Sequence, residues 1–180
     1  EQIRAGLCPK PDRIYVPLGS GGTAAGLAVG LALGGTDTTV CAVAVVENWL
    51  SARFRINGLV KACAEKLKAK GIETSSGIPA VPIEIDRGFL GKGYGHSTTE
   101  SLNACHIGRD HGIQFEEVYS GKAFAALLQE AVNERATPCP QDVLLWFTPH
   151  ASTLPKPLWD WQDRLPDKLK SRLQSGTSEF

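Results

Sequence analysis

The sequence predicts an α/β fold, a doubly wound, mostly parallel sheet with helices on both faces. Three observations carry that expectation. Short β-branched runs alternate with helix-spaced segments along the 180 residues. Residues 39–46 (TVCAVAVV) are continuously apolar, as a strand covered on both faces must be. Glycine clusters follow strand candidates at the places where strand-to-helix turns belong.

The elements follow in order. Residues 13–18 (RIYVPL) are the first strand candidate and run into Gly19-Ser20-Gly21-Gly22; residues 23–33, almost all Ala, Leu, Val and Gly, then read as a buried helix. Residues 39–46 are the second strand, and 51–70 carry helical spacing that Gly71 stops. A third strand at 81–86 is weakened by Pro82, which cannot donate to a ladder. Ser97-Thr98-Thr99-Glu100 has the pattern of a capping box opening a helix to about His111. Residues 113–118 are a short strand candidate, 122–135 a helix, and 142–147 (DVLLWF) a last buried strand. Pro149, Pro155, Pro157 and Pro166 then break up a tail with a helix candidate within 158–173. Ligands of such sheets bind at the carboxyl ends of the strands, which places function in the loops after Leu18, Val46, Asp86, Val118 and Phe147.

Composition narrows the class. Nineteen Lys plus Arg balance nineteen Asp plus Glu, giving zero formal charge and no electrostatic hold on nucleic acid or anionic lipid. No apolar run approaches the roughly 20 residues needed to cross a bilayer. The five cysteines are odd in number and widely spaced without a Cys-x-x-Cys pair, which points to a reducing, cytoplasmic setting rather than a disulfide framework. His96, His106, His111 and Cys105 follow no metal-ligand spacing, so no metal is expected. Met is absent and Glu1-Gln2-Ile3-Arg4-Ala5-Gly6 reads like the end of a helix, an expectation that the sequence starts inside a longer protein.

Gly19-Ser20-Gly21-Gly22-Thr23 has the requirements of a phosphate cradle: small residues admit oxygen atoms to the backbone, and free N–H groups at a helix start favour an anion. The same glycines could simply make a tight turn. Gly19–Ala24 also satisfies the Gly-x-Gly-x-x-Gly/Ala dinucleotide fingerprint, with Glu47 as the ribose-binding acid, so a nicotinamide-dependent oxidoreductase is an open alternative. The lysine of a nucleotide-hydrolysing P-loop is missing. Leu18 stands where a nucleophile elbow needs its first glycine. Gly91-Lys92-Gly93-Tyr94-Gly95 and Val118-Tyr119-Ser120-Gly121-Lys122 each put a phenol in a loop at a strand end. Two phenols and a glycine loop at three strand ends describe a site. Lys92 and Lys122 read as solvated or paired with a carboxylate.

Pro11-Asp12-Arg13-Ile14-Tyr15-Val16 leading into Gly19–Leu27, then Gly91–Gly95, then Gly112-Ile113 and Val118–Ala123, occur in an order and spacing that cover residues 1–147. In these pieces the chain resembles the pyridoxal-phosphate enzymes of the tryptophan-synthase-β fold type, in the branch of D-cysteine desulfhydrase and 1-aminocyclopropane-1-carboxylate deaminase. The resemblance implies that residues 1–147 are the C-terminal part of a cofactor-binding large domain and 148–180 a divergent tail. It implies that Ser20, Gly21, Gly22 and Thr23 hold the phosphate of pyridoxal 5'-phosphate, that Tyr94 and Tyr119 face a small amino-acid substrate, and that Ser120 meets the pyridine nitrogen. Deaminases of the branch carry an acid at that last position. A neutral hydroxyl leaves the nitrogen largely unprotonated, so Ser120 argues for α,β-elimination, yielding a 2-oxo acid, ammonia and, from cysteine, sulfide.

Two departures qualify the resemblance. The family's Gly-Asn-Lys segment with the Schiff-base lysine is missing, so the chain is expected to be incomplete and inactive alone. After Phe147 the family's His-Thr-Gly-Gly is replaced by Thr148-Pro149-His150-Ala151. A homodimer, or association with the missing N-terminal part, is the expected assembly. A non-catalytic remnant that binds a phosphate-containing ligand is the alternative from another class.

Overall fold

The computed structural model describes residues 1–47, 52–72, 80–132, 142–148 and 159–175. Four strands, β1 (Arg13–Leu18), β2 (Thr39–Ala44), β3 (Ile83–Asp86) and β4 (Val143–Leu145), form one sheet of order β3-β2-β1-β4. Every pairing is parallel: Tyr15 lies opposite Cys41 and Leu145, and Cys41 opposite Glu84. The helices are α1 (Gly22–Leu33), α2 (Arg53–Ala69), α3 (Thr99–Asp110), α4 (Ser120–Val132) and α5 (Asp167–Ser175). Residues Glu1–Pro149 form one compact unit, and His150–Phe180, which holds α5, a second.

Strand alternation divides the first unit into two cores. Val16, Leu18, Val40 and Ala42 project to one face, where they meet Ala24 and Ala28 of α1 and Ile56 of α2. Tyr15, Cys41 and Val43 project to the other, against Ala123, Ala125 and Ala126 of α4 and Ala104 of α3. The sheet is doubly wound, as its apolar strands predict. Leu18 is wholly buried at the end of β1, a burial that contributes about 2 kcal/mol. It anchors the loop that follows.

Four expectations shift. Residues 113–118 form no strand: the Glu116 carboxylate accepts from the N–H groups of Val118 and Tyr119 at 2.7 and 2.8 Å, bending the chain into the start of α4 instead of leaving those donors for a ladder. The capping box lies one residue later than the Ser97/Glu100 pattern suggests. Thr98 Oγ1 accepts from Ser101 N at 3.1 Å and Ser101 Oγ from Thr98 N at 2.9 Å, and the wholly buried Ser101 takes the place expected for Glu100. Glu100 remains in the first turn, where its charge complements the helix dipole. Helix α4 begins two residues before Lys122, and Lys122 is wholly buried instead of solvated. Finally, β3 starts at Ile83; Pro82 precedes it on an edge strand and uses only its carbonyl, which accepts from Val40 N at 2.9 Å. The ends expected for the second and fourth helices, at Ser51 and Arg135, lie outside the described residues.

Candidate active site

The carboxyl ends of the strands gather three glycine-bearing segments. From β1 the chain enters Gly19-Ser20-Gly21-Gly22, with Gly21 at φ 89° as the N-cap of α1. A Cβ at Gly21 would meet Leu59 Cδ1 at 3.1 Å, and φ in the left-handed region disfavours any side chain there, so glycine is required. No side chain caps α1 and no acid stands in its first turn, so its leading N–H groups meet no carboxylate of their own helix. A Cβ at Gly22 would meet nothing within 4 Å, and Ser20 and Thr23 are exposed. This is open space before a helix N-terminus, suited to an anion.

Tyr119 stands over that loop: a Cβ at Gly19 would lie 3.3 Å from Tyr119 Cε1. Its hydroxyl donates to the Tyr94 hydroxyl at 3.2 Å, and the rings meet edge to face with centroids 6.1 Å apart. That bond, followed by partial burial, pushes Tyr119 up to about 12. Both phenols remain partly exposed. Tyr94 N donates to Glu47 Oε1 at 3.2 Å, and Glu47's own backbone with that of Tyr94 holds its carboxyl below the usual range. Loops after β1, β2 and β3 and the start of α4 therefore converge on one place.

The sequence-predicted residues separate into two groups. Gly19, the cradle glycines, Tyr94 and Tyr119 come together. Ser120 lies next to Tyr119, but its hydroxyl is engaged locally, accepting from Glu116 N at 2.8 Å and donating to Glu116 O at 3.2 Å. Lys92 is exposed, whereas Lys122 Nζ donates to the carbonyl of Leu90 at 2.9 Å and burial pushes its pKa down. Glu116 escaped the sequence reading. An acid four residues before a helix beginning Ser-Gly-Lys is the pattern that marks it. Among the described residues no cluster of His, Cys, Asp or Glu is arranged to hold a metal, and no helix is long and apolar enough to cross a membrane. An apolar groove of about 630 Å³ starts at Thr23 and runs along Gly26 and Gly30 of α1 to its C-cap Gly34, beside Trp146.

Fold and site together define a class: a parallel α/β protein whose glycine loop, open to an anion, faces a pair of hydrogen-bonded phenols. Within that class the chain belongs to the pyridoxal-phosphate dependent enzyme family, whose pattern it matches over residues 1–148. A Pyrococcus furiosus protein provisionally named 1-aminocyclopropane-1-carboxylate deaminase is 34% identical over 121 residues, 67% of this chain and 34% of that one. The D-cysteine desulfhydrase of Serratia proteamaculans is 29% identical over 123 residues, 68% of this chain and 35% of its own. A crystal structure of an ACC deaminase homologue superposes with a TM-score of 0.60 at 28% identity, covering 78% of this chain and 40% of that chain. The chain thus spans about a third of the length of the curated relatives it matches.

The residues present fit the cofactor's phosphate group: Gly22 leaves room for oxygen atoms, and the uncapped α1 N-terminus offers donors. Family membership removes the support for the nicotinamide reading. Glu47, its ribose acid, accepts from Tyr94 N instead.

Proposed function

We propose that this chain is the phosphate-cradling portion of a pyridoxal-phosphate enzyme that carries out α,β-elimination on a small β-substituted amino acid, with D-cysteine as the model substrate. The observation that carries this reading is the contact of Tyr119 with both Gly19 and Tyr94, which brings cradle and phenols to one site. Ser20, Gly21, Gly22 and Thr23 would hold the phosphate through backbone N–H groups and two hydroxyls. The bound cofactor supplies an electron sink for the pair released at the substrate's α carbon.

The chain's own groups supply proton control. Tyr119 donates to Tyr94, which leaves the Tyr94 hydroxyl proton free to turn toward a leaving sulfur. Tyr119, pushed up to about 12, stays protonated at neutral pH and keeps that direction. In the reaction the α C–H and β C–S bonds break, the leaving sulfur and the β carbon each take up a proton, and water replaces nitrogen on the α carbon, giving a 2-oxo acid, ammonia and sulfide. Ser120, whose hydroxyl would have to turn from Glu116 O to meet the ring nitrogen, is neutral; it suits a nitrogen left unprotonated and favours elimination over ring opening of a cyclopropane. Lys122 has its amine on a carbonyl, so covalent attachment of the cofactor is assigned to a lysine elsewhere in the full-length protein. Assembly as a homodimer, or with the remaining part of the large domain, and a cytoplasmic location belong to the same proposal.

The test offers the full-length protein D-cysteine, L-cysteine and 1-aminocyclopropane-1-carboxylate separately. Sulfide and 2-oxo acid in equal amounts from a cysteine enantiomer are expected. Ammonia from the cyclopropane substrate alone would replace this reading with a deaminase. Cofactor binding displaced by inorganic phosphate, without turnover of any of the three, would favour the non-catalytic reading.

A further inference from the structure

Lysine is among the residues least often fully buried, because withdrawing its amine from water costs several kcal/mol unless a partner compensates. Lys122 is nevertheless wholly buried, in the first turn of α4 three residues after Tyr119. Its Nζ donates to Leu90 O at 2.9 Å. An apolar side chain would fill such a position without that cost, so the amine answers a specific demand. The demand lies in the segment it grips.

Residues 90–95 are a succession of turns with Gly91, Gly93 and Gly95 all at positive φ. Such a segment has the backbone freedom to adopt many conformations. Among the described residues several contacts restrain it, including Leu90 N donating to Arg87 O at 3.3 Å. A Cβ at Gly91 would lie 2.7 Å from Thr98 Cγ2, Tyr94 N donates to Glu47 Oε1, and Leu90 O receives Lys122 together with a long 3.4 Å bond from Gly93 N. Tyr94, at the far end, receives the Tyr119 hydroxyl. The connections close a ring: Tyr119, just before α4, and Lys122, in its first turn, hold the two ends of one five-residue stretch, Leu90 by its carbonyl and Tyr94 by its phenol.

We propose that Lys122 is a positioning residue, which fixes the glycine loop 90–95 through the Leu90 carbonyl so that Tyr94 is held against Tyr119. This rests on the reading that the two phenols face the substrate. Lys122 itself touches neither substrate nor cofactor. What the carbonyl requires is an N–H donor, which an amide N–H can also supply. That requirement separates positioning from space filling.

The test compares Lys122→Met, which keeps the stem and removes the donor, with Lys122→Gln, which keeps an N–H donor, in the full-length protein without substrate. The readouts are hydrogen exchange in the 90–95 peptide and the ζ-carbon resonance of isotope-labelled Tyr119, calibrated with Tyr94→Phe. Lys122→Met is expected to raise loop exchange by about tenfold or more and to move the Tyr119 resonance to its Tyr94→Phe position, while Lys122→Gln stays near the parent. A parent-like loop in Lys122→Met, or a loop as open in Lys122→Gln as in Lys122→Met, would overturn the proposal. Should Lys122→Met not fold, acylation footprinting of the unsubstituted protein decides, with Lys122 protected and Lys92 reactive as the expected result and equal reactivity as the contrary one. Neither readout involves turnover, so failure of the elimination reading would leave these results standing, and the reverse holds too.

Discussion

The two ends of the sheet use polar groups in opposite ways. At the amino end, Arg13 bonds Cys41 Sγ at 3.0 Å through Nε, pairs with Glu130 at 3.2 Å and with Glu84, and Tyr15 donates to Glu130. Each group there has a partner within the fold, and burial pushes the Tyr15 phenol and the Cys41 thiol upward. At the carboxyl end, Ser20 and Thr23 face solvent, Gly22 adjoins open space, and Tyr94 keeps a hydroxyl proton to offer. Satisfied polar groups hold the sheet; the outward ones are those proposed above to meet cofactor and substrate. A phenol has a different meaning at each end, although Tyr15 and Tyr119 are the same residue type.

The sharpest way to break the contrast is Gly121→Ala, because a Cβ there would lie 2.8 Å from Cys105 Sγ and 2.9 Å from Glu116 O, with backbone unable to yield. A loss of about 3 kcal/mol is expected in denaturant unfolding, together with disorder of the first turn of α4 and loss of cofactor binding. Glu130→Ala at the opposite end leaves Arg13 and Tyr15 short of a partner. Since both ion-pair partners are partly solvated, the expected cost is only about 2 kcal/mol, with cofactor affinity in the folded protein unchanged. A shift in affinity there would mean that the two ends are coupled.

Gly22→Asp sharpens the comparison because its two effects have opposite signs. A carboxylate in the first turn of α1 complements the dipole and is expected to leave the melting temperature equal or higher, while repelling phosphate and weakening pyridoxal phosphate by about tenfold or more. Parallel loss of stability and affinity would refute the cradle. The smallest effect concerns Tyr119. Its raised value means the folded state prefers the protonated phenol, so this stability is complete below pH 10 and is lost as pH rises toward 12. Tyr119→Phe should therefore cost up to about 1 kcal/mol at pH 7, a small loss because the phenol is partly exposed, and flatten the alkaline slope so that the two proteins converge toward pH 12, as unfolding curves at both pH values would reveal.

Much of the sheet is legible in the sequence because each core strand is an apolar run closed by a turn residue, and β1, β2 and β4 fall within their predicted spans. The strand expected at 113–118 failed because its β-branched ends suggest a ladder, whereas Glu116 takes the amide donors that a ladder would need. The glycine loop and both phenols are legible as residue types in loops at strand ends. Their contact is not. Gly19 and Tyr119 are one hundred positions apart, and only the parallel order β3-β2-β1-β4 with α4 across one face brings them within van der Waals reach. The burial of Lys122 is illegible for the same reason: a lysine at a helix start is solvated unless the fold covers it.

By itself the sequence determined the alternation of strands and helices, the backbone freedom of the Gly21 turn and the neutral hydroxyl of Ser120, because these depend on side-chain chemistry and on neighbours a few residues away. Tertiary structure alone decided that Tyr119 meets Tyr94, that Glu47 receives Tyr94's N–H and that Lys122 is sealed against Leu90, because hydrogen bonds and burial between distant residues exist only once loop closure has brought them together.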